Sequence, residues 1–408
     1  VIEAIFTGIL LGVLSGLIPG IHNNTFAALL VSYLHILSAL FKPEEIAVVI
    51  FTNAVTHTFI DIVPSVFIGV PDEDMAISIL PAHEMVLDGR GFQAVSISAF
   101  SSLISFLFAI PVFFLFTILL PFSGKYLETI TPYFLIAVIV FIIMSEKGEI
   151  YAGEFSVWLK RGLALTIFLL SGVTGYFAFL NSFYADMRPG STVLIPLLLG
   201  FFAIPVVVSS LRSDSIIPKQ KMKLSFPEIP HVIPGAFCGA LVSLFPGVSS
   251  GIAAAIATSR IKKAEVFIST ISGANTSNAL LCFSVLFALG YARSGSAQAF
   301  RSIIGFLLDF NEVINLLIIG MITALVAFTL TIILGCLFSK TVEKAGFISS
   351  LSRVVLIFII IYTWWMTGLF GLIILTTSSM IGMIAVRIKV KRINCMGCII
   401  LPVLILKL

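Results

Sequence analysis

Charge is what this sequence has least of. Among 408 residues there are 24 Lys and Arg and 20 Asp and Glu, 11% in all, where a soluble domain carries about a quarter. The shortage excludes a separate soluble domain. A net charge of +4 is what the basic cytoplasmic loops of a membrane protein contribute, and it does not suggest a nucleic-acid partner. Cysteine is scarce too. Cys238, Cys282, Cys336, Cys395 and Cys398 are scattered. Cys395-Met-Gly-Cys398 has no second pair to complete a zinc site, so these are read as small packing residues. His83-Glu84 lacks the second histidine of a zinc protease helix. No metal and no resident cofactor are expected.

What is abundant is apolar. Hydrophobic residues make up 59% of the chain and mean hydropathy is +1.14. Apolar runs long enough to cross a bilayer recur from end to end. The fold class is therefore all-α: a polytopic transmembrane helical protein, multi-pass in the plasma (inner) membrane, with the lipid bilayer as its constant partner.

One design appears twice. Residues 12–25 read Gly-Val-Leu-Ser-Gly-Leu-Ile-Pro-Gly-Ile-His-Asn-Asn-Thr, and residues 239–251 read Gly-Ala-Leu-Val-Ser-Leu-Phe-Pro-Gly-Val-Ser-Ser-Gly. Each is an apolar helix interrupted by Pro-Gly, then small polar residues, then more apolar helix. A break in hydrocarbon frees backbone groups, tolerated only where protein or a watery cavity satisfies them. Matched breaks in two halves point to a transport site. The expectation is two repeats, each with a re-entrant helical hairpin broken at Pro-Gly.

The rest of the chain follows that plan. Helical arms are expected at 4–18 and 25–41 around the first break, and at 230–245 and 249–259 around the second. After each comes an apolar element laced with polar groups. The first, 46–70, carries Thr52, Asn53, Thr56, His57, Thr58 and Asp61, with a break expected at Pro64. The second, 264–290, carries Ser269, Ser272, Asn275, Thr276, Ser277 and Asn278. Plain spans read at 95–121, 129–145, 158–181 and 190–211, and again at 312–339, 351–367, 369–386 and 394–408. This divides the chain into a first repeat (1–211), a basic linker (212–228) and a second repeat (229–408).

Equivalent connectors differ in charge. Between 41 and 91 the cations are Lys42 and Arg90, against eight Asp and Glu; between 260 and 301 there are five Lys and Arg against Glu265 alone. Because basic loops favour the cytoplasm, the contrast predicts inverted repeats, the first hairpin entering from outside and the second from inside.

Residues 12–25, the later Val63-Pro-Ser-Val-Phe-Ile-Gly-Val-Pro71, and residues 85–91 resemble the large membrane subunit of the tripartite tricarboxylate transporters, and archaeal members above all. The resemblance spans nearly the whole chain and implies a carrier of small organic anions. Bacterial members usually have Asp-Gly-Tyr-Pro where this chain reads Pro81-Ala-His-Glu84. They also work with a small membrane subunit and a periplasmic binding protein, which this sequence cannot supply. Residues 246–251 are similar, in addition, to a run found in a family proposed to return polyprenyl phosphate across the membrane. The substrate is thus a small carboxylate or, alternatively, a lipid phosphate.

A helix restarting after Pro-Gly offers unpaired N–H groups and a positive dipole end, which attract anions. The expected substrate contacts are Gly20, His22, Asn23, Asn24 and Thr25 in the first repeat and Gly247, Ser249 and Ser250 in the second. The competing reading is that these residues cap their own helices. Asn275 and Asn278 join the set, with Arg293 as counter-charge or as a snorkelling interfacial cation. His57 and Asp61, four residues apart on one helical face, are assigned to coupling or gating, since a carboxylate inside the membrane is expensive without a partner or a task. The coupling ion would be Na⁺ or H⁺. So few cations suit a mono- or dianion better than a trianion such as citrate. A homodimer is compatible with this plan.

The rival class is an intramembrane serine hydrolase, since residues 247–251 fit G-x-S-x-G. That motif works in a strand–turn–helix setting, and the residues before Pro246 read as helix. The chain is therefore not expected to be an enzyme.

Overall fold

The computed structural model describes residues 1–18, 26–27, 30–31, 33–68, 79–147, 153–185, 191–211, 218–259, 263–304, 309–345 and 348–408. Every long element in them is helical, and seven helices among the described residues are long and apolar enough to cross a membrane.

Helix α1 (Ile2–Leu17) and helix α2 (Pro43–Phe67) lie side by side and parallel. Glycines one turn apart on α1 let the backbones meet. A Cβ added at Gly8 would come 2.6 Å from the Val49 carbonyl, one at Gly12 2.9 Å from the Asn53 carbonyl, and one at Gly16 2.8 Å from Ile60 Cβ. Small residues at such spacing allow close helix approach in membranes. The two helices begin at the same level, because the Val1 amino group reaches Glu45 Oε1 at 2.8 Å. Pro43 opens α2 at a position where no N–H is needed, and Glu45 accepts the Lys42 backbone N–H at 3.2 Å.

The break expected in α2 at Pro64 is repaired within a turn. Proline has no N–H to give the Ile60 carbonyl, yet Asp61 keeps right-handed helical angles (φ −57°, ψ −22°). Ser65 donates both its N–H (3.4 Å) and its hydroxyl (2.8 Å) to the Asp61 carbonyl. The element is thus a nearly continuous span, and it is buried almost throughout.

After α3 (Ile79–Leu87) comes α4 (Gly91–Met144), where two separate spans were expected. Its apolar windows are Gly91–Gly124 and Tyr126–Met144. Helix α5 (Gly153–Leu180) follows, then α6, built from Leu194–Leu198, a π turn at Leu199–Ala203, and Ile204–Leu211. The linker is no slack tether over its described part. Residues 218–228 have no regular secondary structure but are pinned: Lys221 N–H donates to Gly89 O (2.8 Å), Gly91 N–H to Gln220 Oε1 (2.8 Å), and Ser225 N–H to Ser96 Oγ (3.0 Å).

The second half opens with α7 (Ile229–Leu244), α8 (Ser250–Ala257) and α9 (Ala264–Leu289). Helix α7 is parallel to α9, with Gly235 against the Thr270 backbone and Gly239 against Ala274 and Ser277. Helix α9 ends at Gly290 in the left-handed conformation (φ 70°), which glycine adopts without a Cβ clash. Then follow α10 (Gly295–Ile304), α11 (Phe310–Ala345), α12 (Ile348–Arg387) and α13 (Gly397–Lys407). Gly368, non-helical at φ 63° and ψ −156°, divides α12 where two spans were expected to meet. The outer faces of α4, α5, α11 and α12 carry exposed Leu, Ile, Phe and Trp, as lipid contact requires.

Candidate functional site

Helices α2 and α9 cross in the middle of the bundle. Phe51 of α2 packs edge-on against Phe283 of α9 at 4.9 Å between ring centroids. Further along α2 and further back along α9, Asn275 donates its side-chain amide to Asp61 Oδ2 at 2.6 Å. The two helices are therefore antiparallel, and about midway between these contacts His57 comes level with Asn278.

The polar groups expected on α2 point into protein. Asp61 and His57 are each 1% exposed. His57 Nδ1 lies 3.0 Å from Ser15 Oγ of α1, and that oxygen also accepts from Asn53 Nδ2 at 3.4 Å. On α9, Asn278 is half-buried, and its Oδ1 accepts from Cys282 Sγ at 3.4 Å. The carboxylate thus meets Asn275 at this crossing, with His57 one turn back on α2 and Asn278 one turn on along α9.

The second Pro-Gly break forms as the sequence predicts. Helix α7 stops at Leu244, Phe245 is extended (φ −117°, ψ 117°), and Gly247 takes φ +84° with Val403 of α13 packed beside it. Phe245 stacks on Phe134 of α4 at 4.1 Å. Ser249 caps α8, its Oγ accepting the Ile252 N–H at 3.4 Å, while Ser250 is fully buried in the first turn. Ser249 therefore does the capping work, and the first-turn N–H groups of α8 lie beside it. Helix precedes and follows this serine, which is not the setting of a G-x-S-x-G nucleophile. Gly20, His22, Asn23, Asn24 and Thr25, with the first break, lie outside the described residues.

Arg293 is not brought to this crossing. It follows the C-terminal end of α9, roughly 22 Å along the helix from Asn275, where its guanidinium lies over the Tyr291 ring at 5.0 Å and donates to the Tyr291 hydroxyl at 3.1 Å.

Two features escaped the sequence reading. Ser15 is one; it lies in the first motif, within a stretch that reads as apolar helix. The other is a serine face on the first span of α4, read as a plain span. Ser98 meets Ser272 at 2.8 Å and Ser101 meets Ser269 at 2.9 Å. The three- and four-residue spacing of Ser98, Ser101, Ser102 and Ser105 was the signal available.

Charged clusters sit at the helix ends. Asp88 and then Glu265 hold the Arg90 guanidinium above its ordinary pKa. Glu146 accepts from the Lys391 backbone N–H and from Asn394 Nδ2, both at 2.8 Å, and burial raises its pKa against these contacts. Burial pushes Arg392 down to about 10. Cys395 is fully buried in the apolar core, and a thiol so enclosed is inert packing, which suits the plain reading of the CxxC.

Long apolar spans around a buried carboxylate crossing define a multi-pass α-helical membrane protein. Residues 2–397 match the model of the Tripartite tricarboxylate transporter TctA family. The chain belongs to that family: it is a transporter component of the plasma (inner) membrane and not an enzyme. A protein of Methanocaldococcus jannaschii described as uncharacterized is 27% identical over 417 residues, covering 98% of this chain and 96% of the relative. No solved structure matches it.

Proposed function

We propose that this chain carries a small carboxylate anion across the membrane by alternating access between two inverted repeats, 1–211 and 229–408, joined by the strap at 212–228. Each repeat contributes a re-entrant hairpin, and the anion is held between their tips. Asn278, the first turn of α8 with Ser250, and the polar run His22, Asn23, Asn24 and Thr25 supply the contacts. His57 and Asp61 couple the movement to Na⁺ or H⁺.

One observation carries this reading. Laying Gly12 on Gly239 matches their neighbours as well: Asn53 falls on Ala274 and Thr56 on Ser277. The same register places His57 on Asn278, the two residues that come level at the antiparallel crossing. A two-fold axis in the membrane plane has this consequence, since a residue on the axis meets its own equivalent. Inverted-topology repeats are related by such an axis.

The re-entrant hairpins are supported by direction and length. Helix α1 lies parallel to α2 and level with its start, so the chain between them must return to the side it left. Helices α7 and α9 are arranged likewise. Helix α7, with 16 residues, reaches about 24 Å and falls short of the roughly 30 Å hydrocarbon core.

Orientation follows from charge. Arg90, Lys219, Lys221, Lys223, Lys263 and Lys344 lie at the end where α4 and α9 begin, tied there by the Arg90–Glu265 and Gln220–Glu343 contacts. The opposite end, where α1 and α2 begin and α9 ends, has Lys42 and Arg293 with Glu3, Glu44 and Glu45. The basic end is assigned to the cytoplasm.

The test is thermal stabilisation and uptake in reconstituted vesicles, comparing di- and tricarboxylates with a short-chain polyprenyl phosphate. A ligand at a hundred times its Kd adds about 2.7 kcal/mol. Stabilisation and uptake with a carboxylate are expected, weakened in graded fashion by Ser250→Ala and Asn278→Ala. Stabilisation by the lipid phosphate alone would overturn this reading in favour of lipid translocation.

A further inference from the structure

A cavity of about 470 Å³ opens at the basic end, between the strap (Ser225, Glu228), α4 (Gln93) and the start of α9 (Lys263, Ser269). From its inner wall a line of hydroxyls runs into the bundle. Ser269, which lines the cavity, meets Ser101 Oγ at 2.9 Å. One turn along α9, Ser272 pairs with Ser98 at 2.8 Å, and the Ser272 carbonyl accepts from Ser102 at 3.4 Å. Asn275, which holds Asp61, is the next residue on that side of α9, three positions beyond Ser272 and so its neighbour on the helix surface.

Beside this line two hydroxyls stand without a hydrogen-bond partner. Ser105 Oγ of α4 and Thr276 Oγ1 of α9 are 0% and 1% exposed and have none among the described residues. Ser105 Oγ is turned toward α9, since a Cβ added at Gly273 would come 2.6 Å from it. Thr276 shares the α9 face of Ser269, Ser272 and Gly273 by helical spacing. Most other hydroxyls in this bundle, Ser101 and Thr331 among them, donate to a carbonyl one turn back. A buried hydroxyl left unpaired forfeits that compensation, and ordered water is its usual partner.

We propose that the α4–α9 interface is a hydrated path, which brings water, and the protons it carries, from the cytoplasmic-end cavity to the Asp61–Asn275 pair. The chemistry of the lining fits this. A hydroxyl both donates and accepts, so a chain of them with interposed water relays a proton by turning over, without moving a heavy atom. At the inner end the Asp61 carboxylate takes the proton from a hydronium ion and leaves water. Asn275 from α9 faces that carboxylate, and His57 lies one turn back on its own helix. The path gives the coupling role of Asp61 a side of access, and it rests on that part of the proposed function.

The test reads water rather than transport. Ser269→Cys, Ser105→Cys and Thr276→Cys are made singly in the full chain and reconstituted. They are treated with 2-aminoethyl methanethiosulfonate from the cytoplasmic side, and modification is read position by position by peptide mass. Native Cys395, fully buried in the apolar core, is the internal dry control. Ser269→Cys should label at once, with Ser105→Cys and Thr276→Cys on the order of tenfold or more faster than Cys395, since thiol reactivity follows access to water. Labelling at 269 with positions 105 and 276 as slow as Cys395 would show a dry interface and overturn the proposal. Failure of carboxylate uptake by the parent chain would defeat the transport reading and leave this result standing. Thr276→Cys carries the test if Ser105→Cys does not fold.

Discussion

Asn275 and Asp61 come from opposite halves of the chain, 214 residues apart, and meet at 2.6 Å in the interior of a membrane bundle. The amide gives a fully buried carboxylate one of the donors that water would otherwise supply. It also fixes where α2 and α9 cross, so one contact joins the electrostatics of the site to the relation between the halves.

Asn275→Leu should remove a donor from a buried carboxylate, whereas Asn275→Leu combined with Asp61→Asn relieves the cost. Double-mutant cycles on interhelical polar contacts in membranes average about 0.6 kcal/mol and reach about 1.7. A double-mutant cycle on thermal unfolding in detergent should return a coupling energy of that order. Additive single effects would mean that the contact is only incidental to packing.

Gly239→Ala should separate α7 from α9, because the new methyl meets the Ala274 carbonyl and Ser277 Oγ. Overpacking of this kind costs about 1–3 kcal/mol. Gly162→Ala of α5, where a Cβ meets nothing within 4 Å, should instead stabilise by about 0.5–1 kcal/mol, the helical cost of glycine. Melting temperatures moving in opposite directions are the expected outcome.

Arg293→Gln should leave carboxylate affinity within about twofold, under 0.5 kcal/mol, since the guanidinium rests on Tyr291 beyond the end of α9. Asn278→Ala, at the crossing, should weaken binding by about 0.5–1.5 kcal/mol, the loss of one net hydrogen bond. Equilibrium binding to vesicles separates the two. A large loss on Arg293→Gln would return that residue to the site.

Glu146 carries a pH signature. Burial raises its folded pKa above the ordinary 4.5, against the pull of the Lys391 and Asn394 contacts. The folded chain therefore holds this proton more tightly than the unfolded chain. Its stabilisation is fully present below pH 4.5 and is lost as pH rises through the raised folded value. Glu146→Gln should flatten that part of the curve of melting temperature against pH. An unchanged slope would assign it to other groups.

Much of this protein is legible without a structure. Hydropathy alone marks the spans, because lipid forces each segment to satisfy its own backbone. Pro246-Gly247 marks a helix break, and the break appears at that place with Gly247 in a conformation only glycine adopts easily. Asp61 announces itself by its cost, and it is buried as expected. Pro64 signals an interruption that falls one turn back, at Asp61 between the helical stretches ending at Ile60 and starting at Ile62, and Ser65 ties the next turn to the Asp61 carbonyl, a local rescue that composition does not reveal. Ser15 and the serines of α4 were overlooked because a serine in an apolar helix can satisfy itself on its own backbone. Only its neighbour decides whether it does more.

The sequence by itself determined that the chain lives in a membrane, where it breaks and which polar groups it must bury, since those are costs set residue by residue. Tertiary structure alone decided which of these groups meet. The pairing of Asp61 with Asn275, the antiparallel crossing that brings His57 level with Asn278, and the distance of Arg293 all depend on contacts between distant segments. Helical periodicity fixes which face of a helix a residue lies on. Only packing between helices settles the register at which two faces are brought together.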